Sequence, residues 1–178
     1  MNNCTGKKSS SGTAVLAFTG VMLLSASVLA LPEDQNQQIN VEAGSSEINL
    51  DQGLYIHRGT DTSPAHITQG SMEIFGTEIR IEYREGALKR VTATGTPARF
   101  QQQPAVDQEI IHASGHTLDY DSAKRMLSID VEAEFNQSGN ILSGHHIDYN
   151  LDTRSANASS VDGQPVRMEI RAASVDQP

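Results

Sequence analysis

Beyond residue 30 the sequence predicts an all-β fold, a long antiparallel sheet of up to about sixteen short strands. Three observations carry that reading. Apolar and polar residues alternate with period two in one segment after another, and no window shows the longer period of an amphipathic helix. Turn-forming residues sit between the alternating runs. A weak internal repeat returns at intervals of about 34 residues, as in a sheet built from stacked strand pairs.

The first element is a targeting segment. Lys7 and Lys8 make a positive start, and residues 14–30 are apolar apart from Thr19, Gly20, Ser25 and Ser27. Val28-Leu29-Ala30 ends the stretch with small residues at the positions a signal peptidase reads. This reads as a cleaved secretory signal over residues 1–30, followed by one domain over residues 31–178 that is ordered from about 36 to 172. The competing reading is an uncleaved anchor, because residues 14–31 reach the lower limit of a membrane span. Cys4 precedes the apolar run, so it is not a lipoprotein cysteine. It is also the only cysteine. The domain therefore has no thiol for a disulfide, for catalysis or for a metal.

The alternating runs follow. Ile39 and Val41 alternate with Asn40 and Glu42, and Ile48 and Leu50 with Glu47, Asn49 and Asp51. Ile79, Ile81 and Tyr83 alternate with charged residues, and His116, Leu118 and Tyr120 alternate with Thr117, Asp119 and Asp121. The run Leu127, Ile129, Val131, Ala133, Phe135 is the longest, and Ile147, Tyr149, Leu151 and Val166, Met168, Ile170 complete the series. Each run has one apolar and one polar face, as in antiparallel sheets with one solvated side. Asp51-Gln52-Gly53, Arg84-Glu85-Gly86, Gln137-Ser138-Gly139 and Asp162-Gly163 supply turns, and residues 60–64 and 101–108 supply longer loops. The repeat is marked by the small residues Ala43, Gly76, Ala113 and Gly144, each set before a polar turn and a strand. The apolar face must be covered by a barrel, a sandwich, a folded-over roll or an apolar ligand in a groove. Tyr55, Tyr83, Tyr120 and Tyr149 are candidate interior or rim aromatics whose hydroxyls can reach polar groups. A packed dry core satisfies the same pattern.

Charge and motif content exclude several functions. The chain carries 13 basic and 22 acidic residues, a net charge of −9. Two of the four lysines lie in the targeting segment, so the domain is more acidic still, and no basic run is present. Nucleic acid is therefore not an expected partner. His112 and His116 are four apart, but on a strand they stand about 13 Å apart and cannot share one ion. His145 and His146 are neighbours, and His57 and His66 flank a loop. No His-Glu-x-x-His motif, calcium loop, Gly-x-Ser-x-Gly elbow or phosphate loop occurs. Asp130, Glu132 and Glu134 form an outward carboxylate ladder and not a convergent pair. No metal, no cofactor and no enzymatic activity are expected.

The run Ile67-Thr68-Gln69-Gly70 is followed by alternating residues to Tyr83, then by Ala93-Thr94-Gly95-Thr96-Pro97-Ala98-Arg99-Phe100. Next come His112-Ala113-Ser114-Gly115-His116-Thr117-Leu118-Asp119-Tyr120 and Ser143-Gly144-His145-His146-Ile147-Asp148-Tyr149. This order resembles the LptA/OstA-like periplasmic lipopolysaccharide transport proteins, over about residues 36–172. The resemblance implies a twisted antiparallel β-jellyroll, an open, V-shaped roll whose apolar groove shields lipid A acyl chains. It implies a periplasmic bridge that works in outer-membrane assembly without bond chemistry. It also implies head-to-tail self-association and joints to an LptC-like inner-membrane partner and an LptD-like outer-membrane translocon. Lipid-contact positions of the family carry over to Ile39, Phe100, Leu118 and Tyr120. The same apolar face adds Val41, Ile79, Ile81, Ile129, Ile147 and Tyr149 as expected lipid-binding residues. Phe75 falls on the polar face of its strand and finds no role in this scheme, and the loop at residues 60–64 is longer than the family pattern. The alternatives are a structural or adhesive β-roll with a dry core, and the membrane-anchored LptC-like relative if the signal stays uncleaved. A glycan-binding sandwich is a lesser rival, disfavoured by the absence of Trp.

Overall fold

The computed structural model describes residues 37–104, 108–161 and 165–172. The targeting segment, its cleavage site and the Asp162-Gly163 turn lie outside the described residues. Twelve strands are present among the described residues: β1 (Ile39–Glu42), β2 (Ser45–Asn49), β3 (Leu54–Arg58), β4 (Ala65–Gln69), β5 (Met72–Gly76), β6 (Glu78–Arg84), β7 (Ala87–Gln102), β8 (Ile111–Asp121), β9 (Met126–Gln137), β10 (Asn140–Asn150), β11 (Ser155–Ser159) and β12 (Arg167–Glu169). They form one sheet in which all the pairings are antiparallel.

The sheet is folded along a line that runs across it from one edge to the other. The short strands stop at this line: β1 gives way to β2 at Gly44, β3 to β4 across residues 59–64, and β5 to β6 at Thr77. The long strands cross it through bulges, at residues 94–98 in β7, 114–117 in β8 and 144–146 in β10. In β9, Val131 and Glu132 take φ of 61° and 55° at the crossing. A β-branched residue in that region is uncommon and marks an enforced bend. β7, β8, β9 and β10 thus each serve as two strand halves. This is why twelve strands do the work of the sixteen short ones expected.

Two leaves result. The first contains β1, β4, β5, the second half of β7, the first half of β8, the second half of β9, the first half of β10, and β12. The second contains β2, β3, β6, the remaining halves of β7 to β10, and β11. Every ladder runs within a leaf, so the leaves meet only along the fold line and through side chains. Gly115 lies on that line because a Cβ there would stand 2.7 Å from Ile129 Cγ2. The line is also stitched by main-chain bonds, Gly59 N–H to Thr77 O at 2.9 Å and Thr77 N–H to Thr94 O at 2.7 Å. The loop at residues 60–64 closes on itself through Thr60 N–H to Ser63 O and reaches β7 through Thr96 Oγ1 to Asp61 Oδ1 at 3.1 Å.

The core lies between the leaves. Ile67, Ile74, Phe100, Ile111 and Phe135 pack from the first leaf, and Ile79, Ile81, Leu118, Leu127, Ile129, Ile147 and Tyr149 from the second. Polar side chains face out and pair across strands. Glu78 holds both Arg58 and Arg80 at 2.9 Å, and the bond from Arg80 is the main cause that holds its carboxyl below the ordinary value. Phe75, left without a role by the sequence, is part of this outer surface. Its ring stacks on His66 at 4.1 Å, and the Arg99 guanidinium lies 5.4 Å from its centroid. Ile48 and Leu50, expected in the covered apolar face, are exposed: Ile48 ends its inner row on the edge strand β2, and Leu50 lies in the turn after that strand. β11 was not expected, since Ala156 and Ala158 give too weak an alternation.

Candidate functional site

The pleat sets alternate side chains on opposite faces, and the register aligns the inward ones into rows. In the first leaf one row runs Val41, Ile67, Ile74, Phe100, Ala113, Phe135, Leu142, Met168. In the second leaf a row runs Ile48, Tyr55, Ile81, Val91, Tyr120, Leu127, Tyr149, Ala156. Beside it runs Ser46, His57, Ile79, Ala93, Leu118, Ile129, Ile147, Ala158. Each row crosses the whole sheet, a length of about 34 Å at the usual strand spacing.

All ten sequence-derived positions lie on these inner faces. Ile39 and Val41 are half-buried on the edge strand β1, and Phe100 is buried deeper in the same leaf. Ile79, Ile81, Leu118, Tyr120, Ile129, Ile147 and Tyr149 line the facing leaf and are buried. Sequence reasoning did not single out Ile67, Met72, Ile74 and Ile111, which complete the first leaf. Their signal was there in short alternating pieces, but the registers that join those pieces are not readable locally.

The middle of the interior is filled by its own side chains. Cavities open elsewhere. One of about 400 Å³ lies at the mouth of the V, between the free tips of the leaves. Gln37, Ile39, Gln69, Met72 and Gln102 line it from one leaf, and Tyr83, Leu88, Tyr120 and Arg125 from the other side. Its lining mixes polar and apolar side chains. A second cavity of about 470 Å³ opens at the β12 end, with Phe135, Leu142, Tyr149, Ala156, Ala158, Val166 and Met168 in its wall. Both ends of the sheet carry bare apolar side chains. Leu50 is 76% exposed at one end and Ile170 73% at the other.

Two histidines differ in environment. His57 faces inward, is buried, and shares a 2.8 Å hydrogen bond with Ser46 Oγ. Burial pushes its pKa down. His146 faces outward between Asp130 at 2.6 Å and Asp148 at 3.2 Å. The hydrogen bond to Asp130 is the main cause that raises its pKa. Among the described residues, no group of three or more His, Cys, Asp or Glu side chains is placed to hold a metal ion. The arrangement offers apolar surface, a polar rim and open strand edges, which are the means of binding and joining.

Comparison with known proteins gives a consistent picture. Residues 40–155 match the family described as LptA/(LptD N-terminal domain) LPS transport protein. The chain is 32% identical over 143 residues to the lipopolysaccharide export system protein LptH of Pseudomonas aeruginosa, covering 80% of this chain and 79% of that protein. It is 26% identical over 148 residues to the lipopolysaccharide export system protein LptA of Haemophilus influenzae, covering 82% of this chain and 83% of that one. The crystal structure of LptH, the periplasmic component of the lipopolysaccharide transport device of Pseudomonas aeruginosa, superposes with a TM-score of 0.71 at 30% identity. That match covers 79% of this chain and 100% of that one.

Proposed function

The chain belongs to the family of LptA and the LptD N-terminal domain, and from that membership we propose that it is a periplasmic bridge that carries lipopolysaccharide toward the outer membrane. One observation supports this above the others. The inner rows are apolar through most of their length, and the stripe of the first leaf ends on exposed Met168, that of the second on exposed Ile48. A dry structural roll would gain from covering those ends; a conduit needs them open.

Acyl chains would lie between the leaves. Because every ladder stays within a leaf, the leaves can part at the mouth without breaking strand pairing. Apolar surface of Leu118, Tyr120, Phe100 and their neighbours would then pass from side-chain contact to lipid contact, keeping its distance from water. The rim glutamines and Arg125 would stay with the hydrated head of the lipid. The protein would act by burial alone, without bond chemistry.

Edge strands would supply the joints. β1 and β2 end the sheet on one side, β11 and β12 on the other. Each edge has unpaired main-chain groups ready for strand addition. The first edge carries Glu42, Asp51 and Glu47, the last paired with Arg58, and the opposite one carries Arg154, Arg167 and Arg171 against Asp152 and Glu169, an excess of one positive charge. Opposite charge favours head-to-tail contact between copies, and the same edges would meet an LptC-like inner-membrane partner and an LptD-like translocon. Mass spectrometry of the protein purified from a Gram-negative host tests the reading. Co-bound lipid A species are expected; a folded protein that carries no lipid and takes up none in solution would overturn it.

A further inference from the structure

The wall of the cavity at the β12 end includes a residue whose polar group is sealed from solvent and has no partner. Tyr149 lines that cavity, is 1% exposed, and its hydroxyl makes no hydrogen bond. Burial of a hydroxyl without a partner is unfavourable, and few native side chains tolerate it without a reason. The surroundings explain why nothing on the chain satisfies it. Across the groove its ring packs on Phe135, with centroids 4.5 Å apart. Its register neighbours Leu127 and Ala156 are apolar. Ala156 and Ala158 are too small to fill the wall, and their smallness makes the cavity. Burial holds the phenol above its ordinary pKa, so it is a neutral donor. Arg154 lines the same cavity, is exposed, and acts electrostatically on that hydroxyl from the solvent side.

We propose that this cavity seats one acyl chain by its carbonyl: the Tyr149 hydroxyl donates to the oxygen of an ester or amide, and Arg154 meets an anionic head outside. The hydrocarbon then runs inward along the row Tyr149, Leu127, Tyr120. Entry is from the β12 side, where Val166 and Met168 are exposed. This rests on the lipid-carrying reading and adds a site of recognition to it. A groove of hydrocarbon alone would bind any chain of suitable length. A buried donor selects chains that bring an acceptor, because a chain without one leaves the hydroxyl unpaired.

Two probes differ by that acceptor alone: 1-palmitoyl lysophosphatidic acid and its 1-O-hexadecyl ether, each titrated calorimetrically below its aggregation concentration. The unaltered protein is expected to bind the ester about five-fold tighter, the value of one neutral hydrogen bond. Tyr149→Phe should bind both at the level of the ether, with a melting temperature unchanged or raised. Arg154→Gln should weaken both probes and keep their ratio. Equal binding of the two probes by the unaltered protein overturns the proposal, as does a preference that survives Tyr149→Phe. A melting temperature lowered by several degrees in Tyr149→Phe would mean that the hydroxyl has a partner within the protein, and would overturn it too. Purified lipopolysaccharide serves as the third ligand. If it binds and neither probe does, the seat is wrong and the conduit stands; if none of the three binds, the conduit reading fails and the seat with it.

Discussion

Replacing Leu118 by alanine, beside a matching replacement of Asp119, tests whether the two faces of the sheet are assigned correctly. Leu118 is 2% exposed and lies between Ala93 and Ile129 on the inner row. Truncation removes most of a buried side chain and leaves a cavity that rigid strands on both sides resist closing. The cost is about 3–4 kcal/mol. For a domain of roughly 140 residues the entropy of unfolding is about 0.3 kcal/mol/K, so the midpoint should fall by about 10–13 °C. Asp119 points outward, where it accepts from Thr92 Oγ1 at 3.0 Å and pairs with Arg90 at 3.1 Å. Those partners are partly exposed, so solvent screens the pair and its loss costs about 0.5–1 kcal/mol, or roughly 2–3 °C. Thermal unfolding followed by circular dichroism in the strand region measures both. Shifts of equal size, or a larger one for Asp119→Ala, would refute the inside–outside assignment and the rows built on it.

Four further outcomes follow. Gly53 has a φ of 62°, and a Cβ there would stand 2.0 Å from the Tyr83 carbonyl oxygen, so Gly53→Ala should cost about 2–3 kcal/mol in chemical denaturation. Gly86 has a φ of 75° with open space around it, and Gly86→Ala should cost only about 1 kcal/mol; equal costs would deny the close approach of β6 to the first hairpin. In an imidazole NMR titration His57 should titrate below and His146 above the ordinary 6.5. The stability contributed by neutral His57 is present above pH 6.5 and lost as pH falls toward its folded value. That from protonated His146 is present below pH 6.5 and lost as pH rises through its folded value. The reverse order of titration would contradict the burial of one and the pairing of the other. Leu50→Asp and Ile170→Asp should each weaken concentration-dependent self-association in sedimentation equilibrium without lowering the melting temperature, and unchanged association would place the joint elsewhere. N-terminal sequencing of extracted protein should begin near Leu31; an intact Met1 in the membrane fraction would point to the anchored relative.

Much of this architecture is legible in the sequence because a sheet with one solvated face leaves a period-two record. Ile79, Ile81 and Tyr83, or Leu127 and Ile129, announce both strand and face, whereas Val131, expected inside with them, is exposed at the fold line. Less legible is anything that depends on pairing between distant strands. Phe75 breaks the local pattern and makes sense only once the register sets His66 on one side of it and Arg99 on the other. The fold line is equally hidden. The Val131-Glu132 bend looks like an ordinary member of an alternating run because β9 keeps its phase across it, whereas in β8 the inward positions pass from odd (Ile111, Ala113) to even (Leu118, Tyr120) at Gly115. Edge effects mislead in the same way: Ile48 and Leu50 obey the alternation of a core strand but face open space. Of the candidate site, the residues were readable and their grouping was not. Tyr149 stands out as an interior aromatic, whereas its unpaired hydroxyl depends on which residues the register sets beside it, Leu127 and Ala156 among them.

The central claim is that lipopolysaccharide travels between the leaves. Site-specific photo-crosslinking in living Gram-negative cells tests it most directly, with the reactive side chain placed at Leu118, at Ile39 and at Asp119 in turn. Lipopolysaccharide adducts are predicted at Leu118 and Ile39 and not at Asp119, since neighbours on a strand point to opposite faces. Adducts of equal yield at all three positions, or none on the inner face of a correctly folded and secreted protein, would contradict the account.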